Sequence, residues 1–581
     1  MPAPANKPTA RLSYLDRMRV RLAGRTALLQ LSILGVTTGV IVGILMLLFR
    51  GAVEYVQFQL LPGGDPENYE ALPADLRWLL PTLGGAVLAL LFLVVKPKRR
   101  QGGIVHVLER LAYHQGHLSS RNAILEFLGA GISIITGQSV GREGPSVHLG
   151  AAGASILGRR LALPNNALRV LVGCGAAGAI GAAFNTPLAG VIFAMEVVLM
   201  EYTIAGFAPV MLAAVSATAI TQLVYGAHPA FTVPEIAPLP LGELPVLLAV
   251  GVLIGALSAS FNGGSVWLAR KLRPLPLIAR FPLAGLVTGL IALGVPAVMG
   301  IGYDTVNAAM LGELGLVALA LIVAGKIIAT AMTVGCNLPG GLIGPTLVIG
   351  AAAGSLAGLV VALLFPEHSW QPAIYTLVGM AAMMAATLQA PLAALVALLE
   401  LSGDTLLIFP GMLTVVVAVL VSREFFKQES LLLQLMHARG LNYRNDPIAQ
   451  SLRRIGVAGV METDLQTVPA ELDYPGAREL LDSGPKWLLI DSEEERRYLL
   501  PAADLARYMA EHTGESEFNL VKLPGRRVEL MPIHLQATLQ EAYDVLQAQE
   551  ADGVYILRPG MRSRVLGILT REGIENAYAR W

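Results

Sequence analysis

Charged residues and cysteines are scarce in this chain of 581 residues. Charged side chains make up 14% of the sequence and hydrophobic ones 54%, whereas roughly 25% is charged in an average soluble protein. This shortage of charge excludes a soluble protein over most of the length. Positive and negative charges balance at neutral pH, so the composition does not favour nucleic acid as a partner. The two cysteines, Cys174 and Cys336, stand in apolar segments and provide neither a disulfide framework nor a metal-binding spacing.

Sequence motifs typical of enzymes are also missing. The chain has no phosphate-binding loop, no cluster of metal ligands and no nucleophile–base pair of suitable spacing. We therefore expect no enzymatic activity, no metal and no bound cofactor.

The charges that remain are distributed unevenly around the first apolar segments. Residues 7–25 are rich in Lys and Arg, and the apolar run from Ala27 to Phe49 that follows is too long for a signal-peptide core. The next loop is acidic between residues 65 and 75, whereas the loop after the apolar run 79–95 is basic. Because cytoplasmic loops carry the excess of Lys and Arg, residues 1–25 are predicted to be a cytoplasmic segment. We expect an integral, multi-pass protein of a bacterial inner membrane, with both termini in the cytoplasm.

One stretch of the apolar part occurs twice, at residues 141–152 and again at 341–352. The positions identical in both copies are, in the first, Gly141, Gly144, Pro145, Gly150, Ala151 and Ala152. In each copy a Gly-x-x-Gly-Pro break precedes an apolar run that can start a helix. Irregular backbone at membrane depth is tolerated only where it is buried in protein or lines a cavity, and paired interruptions in two halves indicate a central binding site. Since the free N–H groups at a helix start favour negative charge, the repeat predicts an anion site.

A second repeat divides the apolar part into two halves. Pro187-Leu-Ala is followed by Glu196, and Pro391-Leu-Ala by Glu400, at the same spacing. Many apolar stretches are shorter than the ~20 residues that a straight transmembrane helix needs. The sequence therefore predicts an all-α transmembrane domain over residues 26–425, with halves at about 26–225 and 240–425 and several tilted or broken helices. Glu196 and Glu400 are expected to cap or pair at helix ends.

The composition changes after the apolar part. Residues 426–446 are predicted to be a linker, and residues 447–581 a soluble α/β domain with short strands at 487–490 and 554–557. Segments 461–509 and 530–578 each give an amphipathic helix, a strand and a closing helix, so this domain is predicted to be duplicated. A nucleotide sensor anchored by a passive membrane platform is disfavoured, because a platform has no need of broken helices.

With Gly-Arg-Glu-Gly-Pro at 141–145, Gly-Leu-Ile-Gly-Pro at 341–345 and a duplicated tail, the chain resembles the CLC family of chloride channels and chloride/proton antiporters. The resemblance covers nearly the whole chain. It implies a homodimer in which each subunit is an inverted repeat of tilted, broken helices around its own chloride pathway. The tail resembles the paired CBS domains that many members carry. By the same resemblance Glu143 is the gate, whose carboxylate occupies an anion position until it is protonated or displaced.

The resemblance also assigns the anion contacts, with departures from the family pattern. The Gly-Ser-Gly-Ile-Pro turn of the family becomes Gln-Gly-Gly-Ile-Val at 101–105, so Gly102 replaces the serine and only backbone donors remain at that turn. The family's tyrosine is replaced by Leu432, or by Leu433 if the register slips by one. The predicted contacts are Gly102, Gly103, Ile104, Arg142, Glu143, Gly144, Leu342, Ile343, Gly344 and Leu432. Without the two hydroxyls, binding is expected to be weaker or less selective, with chloride favoured and nitrate and bromide as alternatives.

One position bears on the choice between a channel and an exchanger. Family antiporters usually carry a proton-transfer Glu directly after the Glu that corresponds to Glu196, and here that position is Val197, which cannot carry a proton. The sequence therefore favours a passive chloride channel gated by Glu143, with chloride/proton exchange as the alternative. In that alternative, His148, Glu196 or Glu201 is the candidate that transfers the proton.

The tail retains only parts of a nucleotide-binding pattern. Paired CBS domains that bind adenine nucleotides use a Thr or Ser and a later Asp. The second copy keeps Thr570 but has Gly573 in place of the Asp, and the first copy keeps Asp504 without the Thr. Asp504 and Thr570 are therefore the candidate contacts of an adenine nucleotide, although each half-site is incomplete. Support of the dimer and coupling to the pore through residues 422–446 are the roles expected of the tail.

Overall fold

The computed structural model of the chain contains two compact units. It describes residues 14–24, 27–64, 66–227, 231, 233–365, 371–443, 446–491, 497–512, 516–525, 527–558 and 561–579. Residues 31–159 and 169–443 form one unit, called here the helical unit. The other, called here the mixed unit, takes its residues from 1–30, 160–168 and 444–581.

The helices up to residue 225 are α1 Tyr14–Ala23, which belongs to the mixed unit, then α2 Leu28–Leu60, α3 Ala74–Leu93, α4 Gly103–Tyr113, α5 Ser120–Ile135, α6 Glu143–Arg160, α7 Asn165–Phe184, α8 Pro187–Phe193 and α9 Ile204–Tyr225. The second half of the helical unit contains α10 Leu244–Leu272, α11 Leu277–Gly294, α12 Tyr303–Met310, α13 Leu316–Gly335, α14 Ile343–Leu364, α15 Pro372–Leu388, α16 Pro391–Ser402, α17 Ile408–Leu420 and α18 Leu431–Ala438. Among the described residues, nine helices are long and apolar enough to cross a membrane. The prediction of a multi-pass membrane protein is thereby confirmed.

The two predicted breaks start helices, as expected from the Gly-x-x-Gly-Pro repeat. Helix α6 begins at Glu143 and helix α14 at Ile343. Each packs against the next helix through glycine: a Cβ on Gly175 of α7 would lie 2.2 Å from the carbonyl oxygen of Gly150, and one on Gly379 of α15 would lie 2.4 Å from that of Gly350. Small residues let membrane helices approach this closely. The same helix pair is thus built twice, once in each half.

The start of helix α8 in the first half is capped by a glutamate from the second half, and the start of α16 in the second half is capped by a glutamate from the first. The carboxylate of Glu400 accepts hydrogen bonds from the backbone N–H groups of Leu188 (2.9 Å) and Ala189 (2.6 Å) at the start of α8. The carboxylate of Glu196 accepts from the N–H groups of Leu392 (3.3 Å) and Ala393 (2.7 Å) at the start of α16. The expectation that both glutamates cap helix ends is confirmed. Because each caps the opposite half, the contacts hold the two halves together.

The mixed unit contains a duplicated α/β arrangement. Its later helices are α19 Pro447–Arg453, α20 Tyr474–Asp482, α21 Ala502–Glu511, α22 Leu539–Ala548 and α23 Arg571–Ala579, and its strands are β1 Leu465–Pro469, β2 Glu471–Asp473, β3 Trp487–Asp491, β4 Arg497–Pro501, β5 Glu517–Asn519, β6 Val528–His534, β7 Gly553–Arg558 and β8 Met561–Thr570. The main sheet has the order β1-β3-β4-β6-β7-β8. In each copy a parallel pair joined across a helix, β1–β3 or β6–β7, is followed by an antiparallel strand. The predicted duplication is confirmed.

The segment predicted to be a linker is partly a buried helix. Residues 426–443 belong to the helical unit, and α18 within them buries Leu431, Leu432 and Met436. The predicted boundary is therefore too early by about the length of this helix, because a short amphipathic helix packed on the membrane domain does not stand out in composition. The assignment of residues 160–168, between α6 and α7, to the mixed unit was not predicted.

Candidate anion site

The two Gly-x-x-Gly-Pro breaks pair directly with each other. The N–H of Gly141 donates to the carbonyl oxygen of Gly341, and the N–H of Gly341 donates to that of Gly141, both at 2.7 Å. A Cβ on Gly341 would lie 2.6 Å from the nitrogen of Gly144, so only glycine allows this approach. The pairing brings the starts of α6 and α14 to one place. The two repeated breaks thus meet, as a central anion site would require, but that site stays a prediction.

The carboxylate of Glu143 lies at the start of α14. Glu143 is fully buried, and its Oε2 accepts a hydrogen bond of 3.0 Å from the N–H of Gly344. Its Oε1 accepts a hydrogen bond from the hydroxyl of Tyr303. A negatively charged group at a helix N-terminus is in the position where an anion binds most favourably. The carboxylate of Glu143 therefore lies at the start of α14, where negative charge is favoured.

Tyr303 was not predicted, and its position depends on a buried lysine. The turn before it has positive φ at Gly300 and Gly302. The Nζ of Lys326, which is fully buried, donates to the carbonyl oxygens of Val298 (3.2 Å) and Gly300 (3.0 Å). A buried ammonium group requires such partners. Lys326 thus fixes the turn that places the hydroxyl of Tyr303 on Glu143.

Glu143 stands between two cavities. The first, called here the Gly102 cavity, has a volume of about 80 Å³ and is lined by Gly144 from the α6 start and by the predicted contacts Gly102, Gly103, Ile104, Leu342 and Leu432. The second, called here the Arg142 cavity, has about 370 Å³ and is lined by Arg142, Glu67 and Tyr303, among others. The residues on either side of Glu143 in the sequence thus line different cavities.

The Gly102 cavity contains a carboxylate that the sequence analysis overlooked. Glu126 of α5 is 3% exposed, and its Oε1 accepts a 3.1 Å hydrogen bond from the N–H of Gly103 at the start of α4. A Cβ on Gly102 would lie 1.8 Å from its Oε2. The backbone donor of Gly103, predicted to be open to an anion, is therefore occupied. A side chain at position 102 would therefore meet this carboxylate and displace it from its present position.

The Arg142 cavity combines charges of both signs. The guanidinium of Arg142 donates to the carbonyl oxygen of Ala183 (3.4 Å), lies 3.9 Å from Oε1 of Glu54 and faces the ring of Tyr303 at 5.5 Å. Glu67 lies in the loop between α2 and α3 and has a left-handed backbone conformation, with φ of 75°. Desolvation by the surrounding protein raises the pKa of Glu67 to about 7, against the opposing effect of Arg142. The charge of this cavity therefore changes near neutral pH.

The residues considered for proton transfer lie in different surroundings. Val197 is buried in a π-helical turn, residues 194–199, that continues α8. Glu196 is engaged at the start of α16, and Glu201 pairs with Arg169 at 3.3 Å. His148 is fully buried, and its Nε2 lies 2.9 Å from Nδ1 of His106 on α4. The structure does not place these groups beside Glu143 as one cluster.

In the helical unit, the first of the two proposed registers places its residue at the cavity: Leu432, and not Leu433, is among the residues that line the Gly102 cavity.

The mixed unit contains the two residues predicted to contact a nucleotide. In the mixed unit, Oγ1 of Thr570 accepts a 3.1 Å hydrogen bond from the N–H of Gly573, and Oδ1 of Asp504 accepts one of 3.0 Å from Arg507. Among the described residues, no group of three or more His, Cys, Asp or Glu is placed to hold a metal ion. Nucleotide binding stays a prediction.

These features define an α-helical membrane protein of two repeated halves, with a carboxylate at the junction of two paired helix starts. A family model described as "Voltage gated chloride channel" matches residues 84–423, which is more than half of the chain. The chain belongs to this family, the CLC family.

Similar proteins include both named channels and named exchangers. A putative chloride channel protein, ClcB-like, of Ralstonia nicotianae is 33% identical over 375 residues, which covers 63% of this chain and 87% of that protein. The H(+)/Cl(-) exchange transporter ClcA of Yersinia pestis is 30% identical over 413 residues, covering 67% of this chain and 84% of that protein. The crystal structure of a eukaryotic CLC transporter covers 94% of this chain and 98% of its own at a TM-score of 0.60 and 18% identity. At this identity, the last match shows the fold alone.

Proposed function

We propose that this protein exchanges chloride for protons across a membrane. The support from relatives comes from proteins named as exchangers, such as the Yersinia exchange transporter, which is 30% identical to this chain. The passive channel favoured by Val197 is not supported by these comparisons, and its alternative agrees with them better. Exchange requires a group that responds to both ions, and Glu143 has the surroundings for that role.

The observation that carries the proposal is the carboxylate of Glu143 on the N–H of Gly344, between the two cavities. As a carboxylate, Glu143 fills the anion position at the α14 start. Protonation removes its charge and weakens its hold on this helix start, because the N-terminal dipole favours negative charge. Chloride can then take the position while Glu143 carries the proton. The carboxylate and chloride thus compete for one position, and protonation of Glu143 decides between them, which is the basis of coupling.

The charge around the cavities supports an orientation. Arg100, from the basic loop that the positive-inside tendency assigns to the cytoplasm, lines the Gly102 cavity. Glu67, from the acidic loop, lines the Arg142 cavity. We assign the Gly102 cavity to the cytoplasmic side and the Arg142 cavity to the opposite side. Both termini would then be cytoplasmic, in a bacterial inner membrane.

The mixed unit and the oligomeric state belong to the same proposal. The duplicated strand order and the coverage of 94% of this chain by the eukaryotic transporter structure support a paired CBS domain. We assign to it support of a homodimer and coupling to the pore, and we propose an adenine nucleotide as its ligand at Asp504 and Thr570.

The proposal is tested with the purified full-length protein in liposomes under an outward chloride gradient. A chloride electrode records the efflux, and a pH electrode records proton uptake against an opposing proton gradient. Uphill proton entry that depends on chloride establishes exchange. Rapid chloride loss without proton movement would instead identify a channel, with Val197 as the reason.

A further inference from the structure

We propose that Glu126 is a second carboxylate gate, which competes with the transported anion for the start of α4 in the Gly102 cavity. The proposal extends the function proposed above to the cytoplasmic side of the pathway. Glu126 belongs to neither repeated break, and the resemblance to the family assigned it no role. Its position nevertheless parallels that of Glu143.

The parallel lies in the hydrogen bonds of the two carboxylates. Oε2 of Glu143 accepts from Gly344 at the second residue of α14, and Oε1 of Glu126 accepts from Gly103 at the first residue of α4. Helix α4 has 11 residues, so its N-terminus carries the usual partial positive charge. A buried carboxylate at such a position is favourable in place of an anion, and it prevents an anion from binding there.

The cavity provides a second observation that points to an anion. Arg439, which follows α18, lines the Gly102 cavity together with Glu126. Its Nη2 donates to Oδ1 of Asn337 at 2.7 Å, whereas its Nη1 is buried and has no hydrogen-bond partner among the described residues. An unpartnered guanidinium N–H is costly when buried. Arg439 thus brings a positive charge to the lining of this cavity, which favours an anion beside the α4 start.

In the proposed step, Glu126 moves the end of its side chain away from the α4 start. The carboxylate is the far end of a flexible side chain, and in the present conformation it lies over Gly102, which has no side chain to hold it. A proton from the aqueous side of the cavity converts the carboxylate to a neutral acid, which weakens its bond to the N–H of Gly103. The N–H is then available to chloride. Anion binding in this cavity should therefore become tighter as the pH falls.

The response to pH has to be assigned against the other charged groups nearby. Arg100 and Arg439 share the cavity with Glu126. Titratable groups on the surrounding elements include Arg99 in the turn before α4, His106, Glu109, Arg110 and Tyr113 on α4, Arg121 on α5, Lys326 on α13, His437 on α18 and, on α6, Glu143 and His148. Experiments in a background that lacks the carboxylate of Glu143 separate the two glutamates.

The test measures bromide and chloride binding to the purified full-length protein in detergent by calorimetry at acidic and at alkaline pH. In an E143Q background, we expect binding to weaken with rising pH when Glu126 is present. The additional change Glu126→Gln should remove this dependence and tighten binding at alkaline pH by about tenfold, within the usual range of coupling between two sites. Unchanged affinity and unchanged pH dependence in E143Q/E126Q would overturn the proposal.

A second variant guards against misfolding of E126Q. Gly102→Ala places a methyl group where Oε2 now lies, so it should push the carboxylate away and tighten anion binding in the same direction. G102A and E126Q should not be additive, because both act on one contact. Glu243→Gln is the matched control: Glu243 is 2% exposed, accepts a hydrogen bond from Tyr375 and lines neither cavity. It should leave the pH dependence unchanged.

A bromide soak of crystals of E126Q supplies a direct readout, since bromide has an anomalous signal. In the E126Q crystals, a bromide ion next to the N–H of Gly103 supports the proposal. The same soak is done with wild-type crystals. Bromide bound there beside a Glu126 carboxylate that has not moved would overturn the proposal. These binding measurements do not depend on proton transport. If the liposome experiment identified a channel, the exchange proposal would fall while the role of Glu126 would still be decided here.

Discussion

The two Gly-x-x-Gly-Pro breaks share a backbone but differ in one side chain. Gly141 and Gly341 form a reciprocal pair of hydrogen bonds, and each break starts a helix. The first break carries Glu143 where the second carries Ile343. The carboxylate from the first break lies on the helix start of the second, and nothing corresponding extends the other way. Repeated backbone thus forms both helix starts, and a single unrepeated side chain places a carboxylate on the second of them.

The largest expected effect comes from removing the charge of Glu143, the side chain by which the two breaks differ. Glu143→Gln keeps the shape of the side chain and removes its charge, so the N-terminus of α14 no longer holds a carboxylate. Proton uptake in the liposome assay should fall to the level of empty liposomes, and chloride transport should lose the largest part of its pH dependence. If proton coupling survived in E143Q, the assignment of the gate to Glu143 would be wrong.

The shared backbone is tested by Gly341→Ala. The new Cβ would lie 2.6 Å from the nitrogen of Gly144 and 2.9 Å from the carbonyl oxygen of Gly141, and neither backbone atom can move away alone. We expect a loss of about 2–3 kcal/mol in the free energy of unfolding, measured by thermal unfolding in detergent. Gly264→Ala on α10, where no described atom lies within 4 Å of the new Cβ, should instead be neutral or slightly stabilising. Equal effects of the two changes would contradict the close pairing.

The symmetry between the halves can be measured at their helix caps. Glu196→Gln and Glu400→Gln each remove a charge from two backbone N–H groups in the opposite half. Each should lower stability by about 1 kcal/mol, and the two losses should be similar because the geometry is similar. Glu424→Gln, at an exposed position, serves as the control. A large effect of only one cap would show that the halves are less equivalent than their backbones.

The asymmetric support of Glu143 is tested by Tyr303→Phe. Loss of the hydroxyl removes a donor that favours the charged carboxylate, so protonation becomes easier. The pH at which transport is half-maximal should rise by about one unit, the shift expected when a hydrogen bond worth about 1.4 kcal/mol is lost. Tyr375→Phe is the matched control, because Tyr375 likewise donates to a buried glutamate, Glu243, in the second half. An identical shift in both variants would argue against a specific role of Tyr303.

The smallest effect is expected from Glu67→Gln in the Arg142 cavity. Because the pKa of Glu67 is raised to about 7, this residue gains negative charge as the pH on its side rises through neutrality. That charge disfavours entry of an anion, so wild-type transport should decline modestly over this range. In E67Q this component should disappear while the larger dependence due to Glu143 persists. The comparison requires pH to be varied on each side of the liposome separately.

The sequence predicted the features built from repeated motifs, but it did not predict contacts between residues that are far apart in the chain. The two breaks, the helix starts at Glu143 and Ile343 and the capping glutamates were predictable because glycine, proline and carboxylate positions recur. Tyr303 and Glu126 were not, since Tyr303 is 160 residues from Glu143 and Glu126 is 23 from Gly103. The Gly-Ile-Gly-Tyr turn at 300–303 and a glutamate within an apolar helix were the available signals. Neither identifies its partner without the packing of the helices.

The exchanged caps also constrain how the protein is made. The N–H groups of Leu188 and Ala189 at the start of α8 gain their hydrogen-bond acceptor only when Glu400 reaches them. Until then they are unsatisfied, which is costly away from water. During synthesis, about two hundred further residues must leave the ribosome before that carboxylate exists. The first half therefore has to wait, incomplete, inside the insertion machinery or the bilayer. A truncated chain that stops before residue 400 contains all helices of the first half. Quality control should nevertheless recognise it as unfinished.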